Sequence, residues 1–300
     1  MIEEKFVDLY ARNSGIRDKL IAERDVVLTY ALKALLDTKL ASQLAFKGGT
    51  CLRKLVFGSA GRFSEDLDFT MATEEEPDDI LIQVVEIFNA EHYGIKFTLD
   101  EHYQTGKERS FGGDVRYRHS WNDAGRFHLQ ISLREEPTLS LASLGLKAQA
   151  YFKYLEFEPF EVRTLQTIEM VSEKIRAAYQ RVKVRDLYDL FQFAATPFDS
   201  ELLRRLVVLK LWQVRDPFNP EALLAKIGSG AYEWDDLRRL LHAKEKLDPA
   251  AIKRSVIRRL DPLRGLSELE RRVVADSKAG RGRKLADQLR EEIRSLFGPG

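Results

Sequence analysis

The sequence is nearly devoid of cysteine, and Cys51 is the single one among 300 residues. One thiol cannot form an intramolecular disulfide, so a disulfide-stabilised scaffold is excluded and we expect a reducing, cytoplasmic location. The position of Cys51 just after a predicted turn indicates a small packing residue of a helix. We do not expect it to act as a nucleophile.

Long hydrophobic runs are also missing. No apolar stretch reaches the ~20 residues that span a bilayer, and the opening MIEEKFVDLY has neither the basic nor the apolar region of a signal peptide. We therefore expect no membrane partner. With 44% hydrophobic and 32% charged residues, the composition is typical of a globular protein with a substantial core.

The whole chain lacks an excess of charge of either sign, since its formal net charge is +1. The charges are unevenly distributed, however, with 17 Lys/Arg and 9 Asp/Glu from Arg238 to Gly300. This basic region has two interpretations of about equal weight. It is either a surface that contacts a phosphate backbone or a set of solvated helix faces.

The periodicity of apolar residues changes along the chain. Spacings of three and four predict helices over residues 3–15, 18–40 and 78–92, whereas apolar runs and alternation predict strands over 44–47, 96–103, 114–120, 126–134 and 160–164. Residues 121–125 are predicted to form a hairpin loop. From Thr167 onward the pattern is almost wholly helical. We predict an α+β fold with an α/β domain at 1–165 and an α-helical domain at 166–300.

The stretch FKGGTCLRKLVFGSAGRFSEDLDFTM, residues 46–71, reads as a strand, a turn, a short helix, a loop and a second strand. Asp66 and Asp68 lie on that second strand, where residues two apart point to the same side. Paired carboxylates repel each other unless a cation lies between them, and Mg²⁺ commonly fills this role. The alternative is an ordinary Asp-x-Asp on a solvated strand edge.

The Gly48–Gly49 turn leads into a helix that we expect to start near Thr50. Such a turn presents backbone N–H groups and a helix N-terminus to a phosphate, although most double glycines simply mark tight turns. Lys47 and Ser64 add polar groups around the same prospective pocket. Together with the paired carboxylates, this arrangement indicates nucleotide chemistry.

A second candidate stretch lies in the helix predicted over residues 167–182. Lys174 and Arg181 fall on one line with only Ala177 between them, so a chain of phosphates could approach both cations. Asp186 follows at the start of the next helix, where it caps that helix or positions a cation. The alternative is an ordinary set of structural ion pairs.

Three groups of residues resemble a known family: FKGGTCLRKL with RFSEDLDF, the strand HLQISLRE, and EMVSEKIRAAYQRVKVRDLYDL. They are similar to the AbiEii/AbiGii-type toxins, including the MenA-like toxins, of the DNA polymerase β-like nucleotidyltransferase superfamily. The resemblance implies a mixed β-sheet palm flanked by helices and followed by an α-helical domain. It also implies a toxin that is neutralised by a cognate antitoxin protein.

The activity implied by the resemblance is Mg²⁺-dependent transfer of nucleotides from an NTP to RNA, with Mn²⁺ as an alternative metal. The expected acceptor is the tRNA 3′ end, so that translation and growth are blocked. By motif, the metal ligands are Asp66 and Asp68, which are also catalytic with Lys174 and Asp186. The expected nucleotide-binding residues are Lys47, Gly48, Gly49, Thr50, Ser64 and Arg181.

One position departs from the superfamily pattern. A third carboxylate is usual on the adjacent strand, and Gln130 takes its place here. Because glutamine can hydrogen-bond but cannot accept the proton of an attacking hydroxyl, we expect a single metal, a different base or slow turnover. Two alternatives stay open: a protein-modifying nucleotidyltransferase or kinase-like phosphotransferase, and a catalytically weak nucleotide- or RNA-binding relative.

Overall fold

The chain forms two compact units in the computed structural model, which describes residues 2–73, 76–105, 110–133, 136–278 and 283–297. The first unit comprises Met1–Pro137, Leu141–Thr164 and Arg238–Glu245, and the second comprises Thr138–Ser140, Leu165–Leu237 and Lys246–Gly300. The predicted division into domains 1–165 and 166–300 stays a prediction, because compactness does not test independent folding.

One mixed sheet forms the centre of the first unit. Within the described residues its eight strands are β1 (Leu44–Lys47), β2 (Asp66–Met71), β3 (Glu91–His92), β4 (Ile95–Thr105), β5 (Ser110–His119), β6 (Asn122–Ser132), β7 (Ala142–Gly145) and β8 (Glu161–Thr164). Their order is β3-β4-β5-β6-β2-β1-β8-β7. The β2–β6 and β1–β8 pairs are parallel and the other pairs are antiparallel. The predicted fold class is thus confirmed.

Helices of the first unit cover and connect these strands. They are α1 (Glu4–Asn13), α2 (Lys19–Leu36), α3 (Leu40–Gln43), α4 (Gly48–Cys51) and α5 (Pro77–Ile87). Asp18 caps α2 by accepting a hydrogen bond from the backbone N–H of Leu20. A π-helix, Leu52–Phe57, continues directly from α4, and short 3-10 helices follow at Gly58–Ala60 and Phe152–Tyr154.

Two sequence-based predictions of local structure differ from the fold. A hairpin connects β5 and β6, but the bounds predicted for its loop, residues 121–125, are wrong, because β5 ends at His119 and β6 already begins at Asn122. The Asn122 side chain donates to buried Glu23 at 3.0 Å, which fixes the start of β6. Strand β7 was not predicted. The last residue of the strand predicted over 126–134 lies outside the described residues.

The second unit is helical. Its helices are α6 (Thr167–Gln180), α7 (Val184–Ala194), α8 (Ser200–Gln213), α9 (Pro220–Ser229), α10 (Trp234–Arg238), α11 (Pro249–Leu260), α12 (Glu268–Asp276) and α13 (Arg283–Phe297), with a 3-10 helix at Asp261–Arg264. Several begin with a side-chain cap, and α12 has a complete capping box of Ser267 and Glu270. Across the described residues, none of the helices is both long and apolar enough to cross a bilayer.

A buried ion pair anchors the π-helix to α2 in the first unit. Lys54 Nζ lies 3.0 Å from Asp25 Oδ1 and also donates to Thr29 Oγ1 at 2.8 Å. The other Asp25 oxygen accepts a hydrogen bond of 2.6 Å from the Tyr10 hydroxyl. Neighbouring Arg53 donates to backbone carbonyl oxygens of the following loop. The pair therefore fixes the segment that connects the glycine turn to β2.

We expect Lys54→Met to lower the free energy of unfolding by about 3 kcal/mol, because it removes the closest cation from a buried carboxylate. The matched control is Lys33→Met, which breaks the partly exposed Lys33–Asp37 pair at the end of α2 and should cost at most about 1 kcal/mol. Urea unfolding followed by circular dichroism measures both. An equal decrease in the free energy of unfolding in the two variants would show that the buried pair stabilises the protein no more than the partly exposed pair does.

Candidate active site

The strand register surrounds the two carboxylates with defined neighbours. Asp68 pairs with Lys47 of antiparallel β1 on one side and with Gln130 of parallel β6 on the other. Asp66 pairs with His128 of β6. Leu67 and Phe69 are buried, whereas Asp66 and Asp68 are half-buried, as the alternation of a strand requires. Asp66 and Asp68 therefore share the more exposed face of β2.

The double-glycine turn lies directly against this strand. Gly48 has a positive φ of 78°, and a Cβ built on it would lie only 2.2 Å from Asp68 Oδ2. A Cβ on Gly49 would lie 2.6 Å from Arg62 Nη2 and 3.1 Å from Ser64 Oγ. No side chain larger than hydrogen fits either position without rearrangement. The turn thus brings its backbone close to an acidic, a basic and a hydroxyl group.

Thr50 and Cys51 have structural contacts beneath the turn. The buried Thr50 hydroxyl donates to the backbone carbonyl oxygen of Asp66, which joins α4 to β2. Burial raises the pKa of the Cys51 thiol to about 12, and its sulfur lies 3.1 Å from the Thr164 hydroxyl. Cys51 is therefore protonated at neutral pH and inaccessible to substrate.

Glu65, between Ser64 and Asp66, is held by two arginines, Arg24 and Arg239. Arg24 Nη1 donates to Glu65 Oε1 at 2.7 Å. Arg239 makes a bidentate contact with the same carboxylate at 2.9 and 2.8 Å. Sequence spacing gave no signal for Arg239, which is 174 positions away. These contacts hold the start of β2 between α2 and the Arg238–Glu245 segment.

The paired carboxylates fit a divalent cation that is shared with a substrate. Mg²⁺ is typically held by one or two carboxylates, with substrate phosphates and water as its other ligands. Asp66 and Asp68 supply such a pair on one strand face. Within the described part of the chain, no group of three or more His, Cys, Asp or Glu forms a complete protein cage. The donor set thus suits a metal that arrives with a nucleotide.

The second predicted stretch forms a compact charge cluster in the second unit. Lys174 Nζ, on α6, lies 3.1 Å from Asp186 Oδ1 and 3.0 Å from Asp189 Oδ2, both on α7. Arg181 Nε donates to the other Asp186 oxygen at 2.8 Å. The predicted grouping of these residues is therefore present. Lys174 neutralises carboxylates within its own unit.

The ionisation of Asp186 depends on these two cations. The carboxyl group is 2% exposed, and burial alone would raise its pKa. The charges of Lys174 and Arg181 outweigh this penalty, so the pKa of Asp186 is lowered. Asp186 is thus a carboxylate at neutral pH. Its ion pair with Lys174 joins α7 to α6.

A carboxylate pair beside a glycine turn on a mixed sheet is the arrangement that the sequence resemblance implies for a nucleotidyltransferase. The family model "Nucleotidyl transferase AbiEii toxin, Type IV TA system" matches residues 30–277, so the chain belongs to this family. Among solved structures it is similar to MenT4, a nucleotidyltransferase toxin from Mycobacterium tuberculosis H37Rv. The two share 26% identity and a TM-score of 0.83 over 98% of this chain and 99% of that chain. No curated protein sequence matches this chain.

The chain is therefore a nucleotidyltransferase toxin of a type IV toxin–antitoxin system, and the resemblance drawn from its motifs is confirmed. This family implies an NTP substrate and an antitoxin partner. The identities of the catalytic, nucleotide-binding and metal-binding residues stay predictions, as do the metal itself and the RNA acceptor.

We expect Gly48→Ala to destabilise the protein by about 1–3 kcal/mol, because it combines a left-handed backbone with a clash against Asp68. It should also weaken Mg²⁺-dependent nucleotide binding by displacing that carboxylate. Urea unfolding and calorimetric titration measure the two effects. Gly145→Ala is the matched control, since nothing lies within 4 Å of its added Cβ. A stable Gly48→Ala variant with unchanged binding would contradict the expected crowding.

We expect Asp186→Asn to destabilise the protein by about 1–3 kcal/mol at pH 7, through weaker hydrogen bonds to two cations. Because the folded pKa of Asp186 is lowered, its contribution is complete above the unfolded value of about 4 and declines as pH falls below it. Urea unfolding between pH 8 and 3 should show a constant difference that narrows below about pH 4. Exposed Glu233→Gln is the control, and a difference that persists to pH 3 would contradict this account.

Proposed function

We propose that this toxin transfers a nucleotide from an NTP to a 3′-hydroxyl of RNA, with the tRNA 3′ end as acceptor. The observation that supports it most is the contact geometry of β2 and the glycine turn. Asp68 lies against Gly48, while Arg62 and Ser64 lie against Gly49. A carboxylate that can bind a metal ion and hydrogen-bond donors that can bind phosphate thus lie within one short segment.

Each group of this segment has a role in the proposed reaction. Asp66 and Asp68 hold the divalent ion, and Ser64 together with the turn at Gly48 and Gly49 holds phosphate oxygens. When bound, Mg²⁺ supplies charge neutralisation for the triphosphate and the departing pyrophosphate. Thr50 contributes by fixing the turn to β2, and Lys47 adds positive charge beside Asp68.

The roles of the second-unit cluster are proposed from the resemblance. Lys174 and Arg181 would stabilise the negative charge of the nucleotide, and Asp186 would orient both cations. The contacts among these side chains support the orienting role, because Asp186 accepts from both at 2.8–3.1 Å. A cation that is already oriented needs little reorganisation when a substrate charge develops.

The acceptor proposal draws on the basic C-terminal region. Arg254 and Arg258 are exposed and lie one turn apart on α11, and Arg272 is exposed on α12. Cations of this kind bind a phosphate backbone without reading its sequence. A tRNA end also offers unpaired nucleotides that are accessible to an enzyme. Cytoplasmic action follows from this acceptor.

Gln130 keeps a second function open. Its exposed amide lies beside Asp68 in the register, where a carboxylate would otherwise accept the proton of the attacking hydroxyl. This observation favours a catalytically weak relative that binds nucleotide or RNA with little turnover. A protein-modifying nucleotidyltransferase or a kinase-like phosphotransferase would share the phosphate-binding segment and differ in the acceptor or the transferred group.

We expect Asp66→Asn to reduce nucleotide transfer by at least ~10²-fold, because it removes a main electrostatic element from the site. Asp100→Asn is the matched control, since this aspartate lies on β4 and pairs with Arg116. The assay follows α-labelled NTP into total tRNA at several Mg²⁺ and Mn²⁺ concentrations. Transfer by Asp66→Asn at the wild-type rate would exclude Asp66 from the reaction.

The same assay separates the candidate functions. Label from the α-phosphate on RNA, with untemplated nucleotides at tRNA 3′ ends after induced expression, is expected for the proposed toxin. α-Label on protein would indicate a protein-modifying nucleotidyltransferase, and γ-label on protein a kinase-like enzyme. Nucleotide or RNA binding without turnover for any NTP would indicate the weak relative.

A further inference from the structure

A cavity of about 380 Å³ lies in the first unit, apart from Asp66 and Asp68. It is bordered by the end of α1, the π-helix, the loop that leads to β2, residues 148–150 and residues 240–242. Polar and apolar groups both line it, among them Arg53, Ser59, Phe63, Gln149, Leu240 and His242. This volume is at the lower end of the range of small-molecule sites, about 300–1,000 Å³.

The charge around this cavity is unbalanced. Asp25 neutralises Lys54 at 3.0 Å and accepts a hydrogen bond from Tyr10. Arg53, which is 3% exposed, contacts the carbonyl oxygens of Gly58 and Gly61 and the Tyr10 hydroxyl, but no carboxylate among the described residues. One buried carboxylate thus faces two basic side chains. Asp25 acts electrostatically on both Lys54 and Arg53, so the three groups together carry one net positive charge, which an anion beside Arg53 would neutralise.

Two residues that line the cavity also have buried hydrogen-bond donors that are unused. Within the described residues, the buried Nε of Arg53 and Nε2 of Gln149 have no hydrogen-bond partner. His242 accepts a backbone N–H at Nδ1, so its neutral ring carries the proton on Nε2 and adds a donor. No described lining residue carries a carboxylate. The wall therefore offers donors to a ligand that brings acceptors.

The remaining wall suits a small apolar or aromatic body. Phe63 and Leu240 line the cavity beside the donors, and the guanidinium of Arg53 stacks on the Phe63 ring at 4.4 Å. Burial raises the pKa of Tyr10 well above its usual value, so its phenol stays neutral and supplies no counterion. The combination is that of a site for an organic anion rather than for a cation.

We propose that this cavity binds a small organic anion, in which one carboxylate or phosphate group contacts Arg53, Gln149 and His242 and a compact apolar body packs beside Phe63. The proposal does not depend on nucleotide transfer, since the cavity wall contains none of the proposed metal ligands. Carboxylate and phosphate groups both carry negative charge and accept hydrogen bonds. Titration with one probe of each kind distinguishes between them.

The test is calorimetric titration of the full-length protein with benzoate, phenyl phosphate and, as a neutral control, benzyl alcohol. We expect saturable one-to-one binding of at least one anion with a Kd of about 1 mM or lower. Preference for benzoate or for phenyl phosphate identifies the anionic group. No anion binding up to about 10 mM, or equal binding of benzyl alcohol, would overturn the proposal.

The double variant Gln149→Leu/His242→Phe keeps the side-chain volumes and removes two donors, so affinity should fall at least about tenfold. Gln149→Leu alone is made in parallel and should give a smaller loss, which keeps the test decisive if the double variant does not fold. Gln83→Leu, on α5, controls for the substitution type, and Asp68→Asn separates this cavity from the proposed metal site. Both controls should bind as the wild type does. Unchanged affinity in the Gln149 variants, or loss in Asp68→Asn, would place the anion elsewhere.

Discussion

The buried contact between Lys54 and Asp25 is the constraint on which the proposed site depends. It attaches the π-helix to α2, and the π-helix follows directly from the turn of α4. Breaking one partner of a buried pair leaves an uncompensated charge, so this attachment resists small displacements. An unusual helix type is thereby fixed at the point where the chain leaves the glycine turn. Wide helical turns of this kind are frequent at functional sites.

The pairing of strands in the sheet then fixes which residues surround Asp66 and Asp68. Because β2 pairs with antiparallel β1 and parallel β6, each of its carboxylates has a fixed neighbour on the next strand. Slippage by one residue would turn Asp66 and Asp68 into the core and expose Leu67 and Phe69. The hydrophobic requirement of the buried face therefore sets the orientation of the acidic face. The alternation of apolar and acidic residues along β2 therefore determines both the packing of the core and the position of the two carboxylates.

Much of this arrangement could be predicted from local sequence. The positions of β1, the glycine turn and β2 follow from apolar runs, paired glycines and the spacing of Asp66 and Asp68, and the α+β class follows from the change of periodicity. The contacts of Glu65 with Arg239, and of Arg53 with the Gly58–Phe63 loop, could not be predicted in this way. They depend on burial and on residues that meet only after folding. The start of β6 at Asn122 was missed because a run of polar residues is typical of a loop. The hydrogen bond from the Asn122 side chain to buried Glu23, which fixes this start, cannot be recognised from local sequence.

The first unit is assembled from three separate parts of the chain, and this affects when it can be completed. The Arg238–Glu245 segment contributes the Leu240 carbonyl oxygen that accepts from Phe63 N–H at 2.9 Å, and Arg239 holds Glu65. During synthesis on the ribosome these partners emerge long after β8 ends at Thr164. At a synthesis rate of about 5–20 residues per second the delay is roughly 4 to 15 s. A nascent toxin therefore lacks the support for its acidic strand until most of the polypeptide has been made.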